Sequence, residues 1–315
     1  MASINNTPTT NAGTLALNDL VTELVLGAVS IERGLVNVIP NAQDLVEIPD
    51  FTVANDKLQA YQETQTTGND SMTKGKVIIG NEKIQWYDTY NPILNFENDW
   101  SSFWHSGSMT EAQLNARIRT AVISETAKSV ANNVEKCLWQ GDTAGAAHLA
   151  FFDGYEKLLT ASTAVNKVTD LAVPITAANI ISVMQACIDA TPAAVLELGS
   201  SKFVMSHRMK QLYYEATRDL GISKGINIFE DGTSRFAGFE IVSNGISDNK
   251  IMLANAVSGK DGVLKATTWM SNDWSSAKIA RTQEFSDLWG VLYTFRLGVG
   301  LILENQITYY DGTTV

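Results

Sequence analysis

The side chains that most often carry catalysis or bind metals are few in this sequence and lie far apart. Its 315 residues include three histidines, His105, His148 and His207, and no two of them have the spacing that places two metal ligands on one face of a helix. No G-x-S-x-G segment marks a serine nucleophile, and the two Gly-Lys pairs lack the other residues of a phosphate-binding loop. Gly298 and Gly300 lie inside a strand-like run, which indicates close backbone packing more than a cofactor site. The sequence therefore predicts no catalytic residue, metal site or cofactor.

Composition narrows the class of protein further. Cys137 and Cys187 are the two cysteines and are far apart, a pattern of reduced thiols more than of a disulfide framework or a zinc site. The formal net charge of −11 argues against a general nucleic-acid binder and against an anionic membrane surface as partner. No apolar run reaches the roughly 18 residues that a membrane span needs, and the first residues, MASINNTPTTNAG, lack the basic region of a secretory signal. We expect a soluble protein that is made and kept in a cytoplasm.

The elements that position these residues are more informative, above all a long helix predicted over residues 108–140. Two overlapping capping boxes begin at Ser108 and Thr110, and Gly141 follows the predicted end. A helix of this length spans roughly 45 Å, whereas an average globular helix has about 11 residues. Such a helix is longer than most compact domains of this size require.

The two faces of this helix differ in character. One face carries an apolar stripe at i, i+4 spacing, formed by Leu114, Ile118, Val122, Val130, Val134 and Leu138. The opposite face carries small alanines and charged residues, among them Arg117, Arg119, Lys128 and Glu135. Because a single stripe packs against a single layer, the stripe is predicted to lie on the C-terminal β-sheet of its own chain. The charged face is predicted to meet water or a neighbouring molecule.

Two segments before the helix are longer and more extended than a compact monomer requires. Residues 1–55 are predicted to form a polar tail, a short helix and an extended arm in which two prolines prevent helix formation. Residues 56–90 are predicted to form a long β-hairpin, with strands at 57–65 and 76–88 and a polar tip between them. Because an isolated two-stranded hairpin is marginally stable, the hairpin must rest on another surface.

The remainder of the chain divides into two parts. Residues 174–265 are predicted to form a compact α/β module, with a helix at 176–190, a strand at 202–206 and a helix after it. The C-terminal stretch 266–315 is predicted to be all β, with strands at 277–284, 289–299 and 301–309. A tail, an arm, a hairpin and a helix with a free face together indicate an assembly in which copies lie on one another.

The order of these elements resembles that of the major capsid proteins of tailed bacteriophages (Caudoviricetes), which have the Hong Kong 97-like shell fold. The segments that carry the resemblance are VEKCLWQGD and FFDGYEKLL after the long helix, TAANIISVMQACIDA and SKFVMSHRMKQLYYEATRD in the middle module, and FSDLWGVLYTFRLGVGLILENQITYY near the end. The resemblance covers nearly the whole chain and rests on element order and diffuse local patterns.

The resemblance implies an α+β fold with five parts. In order, these are an N-terminal arm (1–55), an extended hairpin or E-loop (56–90), a peripheral domain (91–173) with the spine helix at 108–140, an axial domain (174–265) and a return to the peripheral β-sheet (266–315). It also implies a structural, non-enzymatic role, in which pentamers and hexamers form an icosahedral shell around phage double-stranded DNA.

The resemblance places contacts between subunits on the hairpin and on the charged helix face. The expected contact residues are Thr67, Gly68, Asn69, Asp70, Lys74, Lys76, Arg117, Arg119 and Lys128. Some members of the family cross-link an E-loop lysine to a neighbouring subunit. No local motif marks an acceptor or a catalytic glutamate here, so that chemistry is not expected.

The resemblance also implies partners. Because the chain shows no long helical N-terminal extension, a separate scaffolding protein is expected, together with a portal and possible decoration proteins. The acidic balance predicts weak contact with the packaged DNA, since phosphate contacts require Lys or Arg. The expected location is the virion, after assembly in the host bacterial cytoplasm, with no membrane contact.

Two other classes of function stay open from the sequence. An encapsulin-like nanocompartment has the same shell fold, and residues 14–33 would then form the helix that docks cargo. A hydrolase with a β-rich C-terminal domain predicts instead a monomer with a deep polar pocket. The particles that the purified protein forms would separate these classes.

Overall fold

The computed structural model describes the middle and the C-terminal half of the chain most completely. The described residues are 28–40, 42, 45–53, 72–80, 82–90, 126, 128–145, 148–168, 173–197, 199–219, 234–255, 262–268, 278–282 and 289–312. The helices are α1 (Val29–Glu32), α2 (128–140), α3 (Tyr155–Ala161), α4 (Ile180–Asp189), α5 (Ala193–Glu197) and α6 (His207–Asp219), with a 3-10 turn at Glu304–Gln306. The strands are β1 (Asn37–Ile39), β2 (Leu45–Val53), β3 (Met72–Gly80), β4 (Glu82–Tyr90), β5 (Asn166–Lys167), β6 (Lys202–Ser206), β7 (Arg235–Phe236), β8 (Phe239–Asn244), β9 (Lys250–Ala254), β10 (Leu264–Thr268), β11 (Lys278–Arg281), β12 (Trp289–Leu301) and β13 (Thr308–Asp311).

The long strand β12 organises a five-stranded sheet. The sheet has the order β1–β10–β12–β11, and β4 also pairs with β12. Strands β4, β10 and β11 are all antiparallel to β12, and β1 is parallel to β10. The pairing of β4 with β12 runs from Tyr90 opposite Trp289 to Glu82 opposite Leu297. One strand of thirteen residues therefore holds three others in register.

Helix α2 packs on this sheet through the predicted stripe. Val130, Val134 and Leu138 are buried, with at most 1% of their surface exposed. They belong to one core cluster with alternate residues of β12, namely Val291, Tyr293, Phe295 and Leu297. The described part of the stripe thus packs on the C-terminal sheet as predicted, and helix α2 ends at residue 140, directly before Gly141. The first half of the predicted helix, with Leu114, Ile118 and Val122, lies outside the described residues.

A six-stranded sheet forms a second layer with helices α4 and α6. Its order is β5–β13–β9–β6–β8–β7. A separate core cluster fills the space beside it and includes Ile180, Met184 and Cys187 from α4 with Phe203 and Met205 from β6. The helices and the strand predicted over residues 176–220 are therefore present, each within a few residues of its predicted bounds.

The predicted returning strand of the hairpin, 76–88, is divided between two sheets. The partner of β3 is β2, which belongs to the segment assigned to the arm, whereas the predicted strand 57–65 lies outside the described residues. The predicted strand 76–88 is in fact part of two strands, because β3 pairs with β2 while β4 pairs with β12. Pro49 lies inside β2, opposite Lys76. A proline is tolerated there because, among the described strands, β2 has a ladder partner on one edge only.

The prediction that residues 266–315 return wholly to one sheet is wrong for the last strand. Strand β13 pairs antiparallel with β9 and parallel with β5, so it lies in the six-stranded sheet. The chain changes sheet at the 3-10 turn Glu304–Gln306, which Leu303 precedes in a left-handed conformation with φ of 53°. The C-terminus therefore connects the two layers.

A buried carboxylate on α2 joins three distant parts of the chain. The Glu135 side chain accepts hydrogen bonds from the backbone N–H of Ser30 (2.9 Å), the hydroxyl of Ser30 (2.6 Å) and the backbone N–H of Gly245 (3.0 Å). The Ser30 oxygen also accepts from the Trp139 indole N–H at 2.8 Å. We call these four residues the Glu135 clamp. A buried charge is tolerated when its oxygens are satisfied in this way.

The prediction that the charged face meets water or a neighbouring molecule is therefore wrong for Glu135, which is only 5% exposed. Helix α1 and the turn after β8 cover the face at Glu135, whereas Lys128 and Lys136 on the same helix are exposed. The fit around the carboxylate is close, because a Cβ added at Gly245 would lie 2.7 Å from Cγ of Glu135. That turn therefore requires glycine at this position.

A second carboxylate holds the same turn. Glu156 on α3 accepts from the backbone N–H of Ser247 at 2.6 Å and from Lys250 Nζ at 2.9 Å. Lys250 Nζ also lies 3.8 Å from the carboxylate of Asp311 in β13. The turn between β8 and β9 is thus fixed to α2 through Glu135 and to α3 through Glu156, which ties the two layers together.

We predict that Val130→Asp prevents stable folding. Burying an unpaired carboxylate in the core cluster should lower the free energy of unfolding by about 4 kcal/mol or more. Asn132→Asp, on an exposed position of the same helix, should change it by less than about 0.5 kcal/mol. Urea unfolding followed by circular dichroism measures both, and equal stability of the two variants would contradict the packing described for α2.

We predict that Glu135→Gln lowers the free energy of unfolding by about 2–4 kcal/mol. The glutamine amide would present N–H groups to donors that now meet a carboxylate, and it would remove charge-assisted hydrogen bonds. The matched control is Glu197→Gln, at an exposed glutamate of α5, which should be nearly neutral. Guanidinium unfolding of both variants is the measurement, and a neutral Glu135→Gln would show that the clamp contributes little.

Candidate assembly surface

The antiparallel ribbon of β2 and β3 carries two of the most exposed large apolar side chains among the described residues. Nine residue pairs form it, from Leu45 opposite Gly80 to Val53 opposite Met72. At about 3.4 Å per residue the ribbon is roughly 30 Å long. It forms a sheet of its own, apart from the five-stranded and six-stranded sheets.

One face of the ribbon near its base exposes apolar side chains. Directly opposite residues share a face, so the register puts Leu45, Glu47 and Ile78 on one side. Leu45 is 67% exposed and Ile78 is 51% exposed. The other side carries Ile79, which is buried with 1% exposure. At its base the ribbon therefore packs on its own chain by the face that carries Ile79 and exposes Leu45 and Ile78 on the other.

The base of the ribbon is fixed by close contact with β12. A Cβ added at Gly298 would lie 1.8 Å from the carbonyl oxygen of Gly80, and one added at Gly300 would lie 2.5 Å from the Ile79 side chain. Only glycine fits at position 298, where the close atom belongs to the backbone, whereas a side chain at position 300 would displace the end of the Ile79 side chain. The Gly298-x-Gly300 pair therefore serves backbone packing, as the sequence indicates, and seats the ribbon on the five-stranded sheet.

A third exposed apolar residue lies on β4. Tyr87 is 57% exposed, and its ring lies beside Gly290, where an added Cβ would be 3.0 Å from the ring carbon Cε2. On the same strand Ile84 is 5% exposed and belongs to the core cluster. Strand β4 therefore also has a buried side against α2 and an exposed side with an aromatic ring.

The predicted contact residues fall into three groups. Lys74 and Lys76 lie in β3, opposite Phe51 and Pro49, at the same parity along the strand as Ile78. Lys128 lies on α2 at an exposed position. The others lie outside the described residues, and these are Thr67, Gly68, Asn69, Asp70, Arg117 and Arg119. The structure therefore brings two of the predicted lysines onto the ribbon and leaves their role as contacts a prediction.

The described cysteines and His207 occupy positions that fit a role in the fold. Both cysteines are unpaired and buried, and burial raises the pKa of the Cys137 thiol to about 11 and that of Cys187 to about 12. His207 opens α6, where the neighbouring Ser206 hydroxyl accepts from the Met209 N–H. Across the described ranges, no three His, Cys, Asp or Glu side chains are grouped to hold a metal.

Within the part of the chain that the structure describes, no helix has the length and apolar content to cross a bilayer.

Sequence reasoning missed the residues that hold the surface in place. Glu135 and Glu156 were not singled out, because helical periodicity cannot show which distant backbone groups cover a polar face. Leu45 and Ile78 belong to segments predicted to be extended, but their exposure depends on a register that the sequence does not give. The glycine pair at 298 and 300 was the one local signal for the base of the ribbon.

The sequence matches no protein-family model and no curated protein. Solved structures do match the fold. A chain of the satellite phage P4 procapsid, solved with its size determination protein, matches with a TM-score of 0.61 at 10% identity, over 94% of this chain and 90% of that one. A chain of the cyanophage A-1(L) capsid matches with a TM-score of 0.56 at 12% identity, over 91% and 93% of the two chains.

A chain of the capsid of a native GTA particle gives a similar result, with a TM-score of 0.53 at 10% identity over 89% of each chain. At these identities the likeness concerns the fold. It extends over nearly the full length of each matched chain, so it includes both sheet layers described above. The chain therefore has the mixed α+β fold of bacteriophage capsid proteins.

Proposed function

We propose that this chain is the major capsid protein of a tailed bacteriophage. Its copies would form pentamers and hexamers of an icosahedral shell that encloses double-stranded DNA. The observation that carries the proposal is the match to capsid chains over almost the entire sequence. A full-length match of this kind is typical of the shell-forming subunit itself.

The exposed face of the ribbon supports the same proposal. Leu45 and Ile78 present apolar side chains to water on a ribbon that packs on its own subunit by the other face. Exposed apolar patches with a polar surround mark sites of protein association. In the proposed shell this face lies on a neighbouring copy, and Lys74 and Lys76 approach the same neighbour.

The domain assignment is part of the proposal, with two amendments that the pairing of strands requires. The ribbon of β2 and β3 takes the place of the E-loop and draws its first strand from within 1–55. The axial domain includes β13 as well as the module at 174–265. Helix α2 is the end of the spine helix.

The proposed shell implies partner proteins for this chain and a location in the virion. A separate scaffolding protein, a portal and decoration proteins would act with this chain, and assembly would take place in the cytoplasm of the bacterial host before incorporation into the virion. The net charge of −11 supports weak contact with the packaged DNA, because few basic side chains are available for phosphates.

The test of the proposal is electron microscopy of the purified chain, alone and co-expressed with a scaffolding protein. Capsomer rings, tubes or icosahedral shells are expected. Small closed shells that form without any scaffold and carry a protein cargo would favour an encapsulin-like role. Monomers under every condition would contradict the proposal.

We predict that Ile78→Asp blocks assembly without unfolding the chain. Because Ile78 is half-exposed on the ribbon, an aspartate there stays hydrated in the monomer but would be buried between copies. The matched control is Ile78→Leu, which keeps the apolar surface and should assemble normally. Sedimentation velocity measures assembly and circular dichroism measures folding. Normal assembly of Ile78→Asp would remove this face from the proposed contacts.

A further inference from the structure

A small pocket lies between helix α2 and the paired strands β4 and β12. Its volume is about 130 Å³. Six buried side chains form its floor, namely Ile84, Val130, Val134, Cys137, Phe295 and Leu297. Four exposed residues form its rim, namely Gln85, Asn133, His148 and Phe151. The pocket therefore opens from an apolar floor towards a rim that carries polar groups.

The packing explains why space remains here. Ile84 and Phe295 lie directly opposite each other in the β4–β12 pair, and both line the pocket. Helix α2 faces them with Val130 and Val134, one turn apart, which are small for a position opposite a paired isoleucine and phenylalanine. Larger side chains at these two positions would fill the gap. The sequence instead leaves a void about as large as one six-membered ring.

The size and lining of the pocket define the ligand it can hold. Apolar protein cavities of about 150 Å³ stay dry and take up benzene-sized molecules. This floor is apolar like those cavities, whereas the rim opens to solvent and offers the amides of Gln85 and Asn133 and the imidazole of His148. A ring without a polar group would fill the floor and leave the rim unused.

We propose that this pocket binds a single aromatic ring that carries one hydrogen-bonding substituent, a ligand of the phenol class. The ring lies on the floor between Val134 and Phe295, and the substituent meets the amides at the rim. The inference rests on the pocket alone and does not depend on the proposed role in a shell.

Cys137 provides a built-in reporter of occupancy. Its thiol lines the pocket and donates to the carbonyl oxygen of His148 at 3.6 Å. Cys187, the other cysteine, lies in the separate core cluster beside the six-stranded sheet and serves as an internal control. Because burial raises the pKa of Cys137 to about 11, roughly one thiol in a hundred is ionised at pH 9, so alkylation is slow and easily timed.

The experiment is alkylation of the whole chain with iodoacetamide at pH 9, with and without phenol, and quantified for each cysteine by peptide mass spectrometry. Phenol at twice its dissociation constant leaves about a third of the sites free, so Cys137 should react about threefold more slowly. Cys187 should keep its rate. An unchanged rate at Cys137, or equal slowing of both cysteines, would overturn the proposal.

Two kinds of variant locate the effect. Val134→Leu narrows the floor and should weaken the protection of Cys137 by phenol. Asn133→Ala and Gln85→Ala change exposed rim residues, so they should fold normally, weaken protection by phenol and leave protection by toluene unchanged. If phenol protects all the variants as well as it protects the parent chain, it binds elsewhere and the assignment of this pocket is wrong.

Discussion

The buried carboxylate of Glu135 is the interaction on which the rest of the structure depends. It lies on α2, yet its hydrogen-bond donors come from α1, which precedes both sheets, and from the turn after β8 in the six-stranded sheet. A charge buried without such donors costs several kcal/mol, so α2 cannot keep its position unless the other two elements keep theirs. Glu156 repeats the arrangement from α3, with Lys250 as its counter-charge. Two carboxylates therefore hold the same short turn and help to join the two layers, whose residues also share one core cluster.

The packing of the two layers fixes the position from which the ribbon extends. Gly298 and Gly300 allow the base of β3 to approach the backbone of β12, and the ribbon extends from there with one apolar face exposed. A free apolar face on an otherwise acidic protein is costly in water and favourable against another copy. In the proposed shell, the contact with Gly298 and Gly300 seats the base of the ribbon, and the exposed face provides the contact with a neighbour.

Much of the fold could be predicted from the sequence, and the misses have physical causes. The stripe from Val130 to Leu138 and the stop at Gly141 are local signals, and both describe the end of α2 correctly. Strand pairing is not local. Residues 57–65 were predicted as the partner of the strand that contains β3, whereas its described partner β2 lies in a segment that was predicted only to be extended. Pro49 is compatible with β2 because an edge strand accepts proline. The move of β13 to the other sheet likewise depends on contacts with β9 that no local pattern contains.

The candidate surface was harder to predict than the fold. The ribbon was expected as a surface for other copies, but its apolar residues Leu45 and Ile78 become significant only when register and exposure are known. Glu135 was placed on the water-facing side because the helical pattern shows charge and spacing but not what covers a face. The hairpin tip and the arginines at 117 and 119 lie outside the described residues, so their part in contacts stays a prediction.

The central claim is that copies of this chain form a shell in which the exposed ribbon face meets a neighbour. Cryo-electron microscopy of assembled particles, at a resolution that shows side chains, tests it most directly. The account predicts a closed shell in which Leu45 and Ile78 are buried against an adjacent subunit. A shell that leaves this face open to solvent would contradict the assigned contact, and a sample that forms no particles would contradict the claim as a whole.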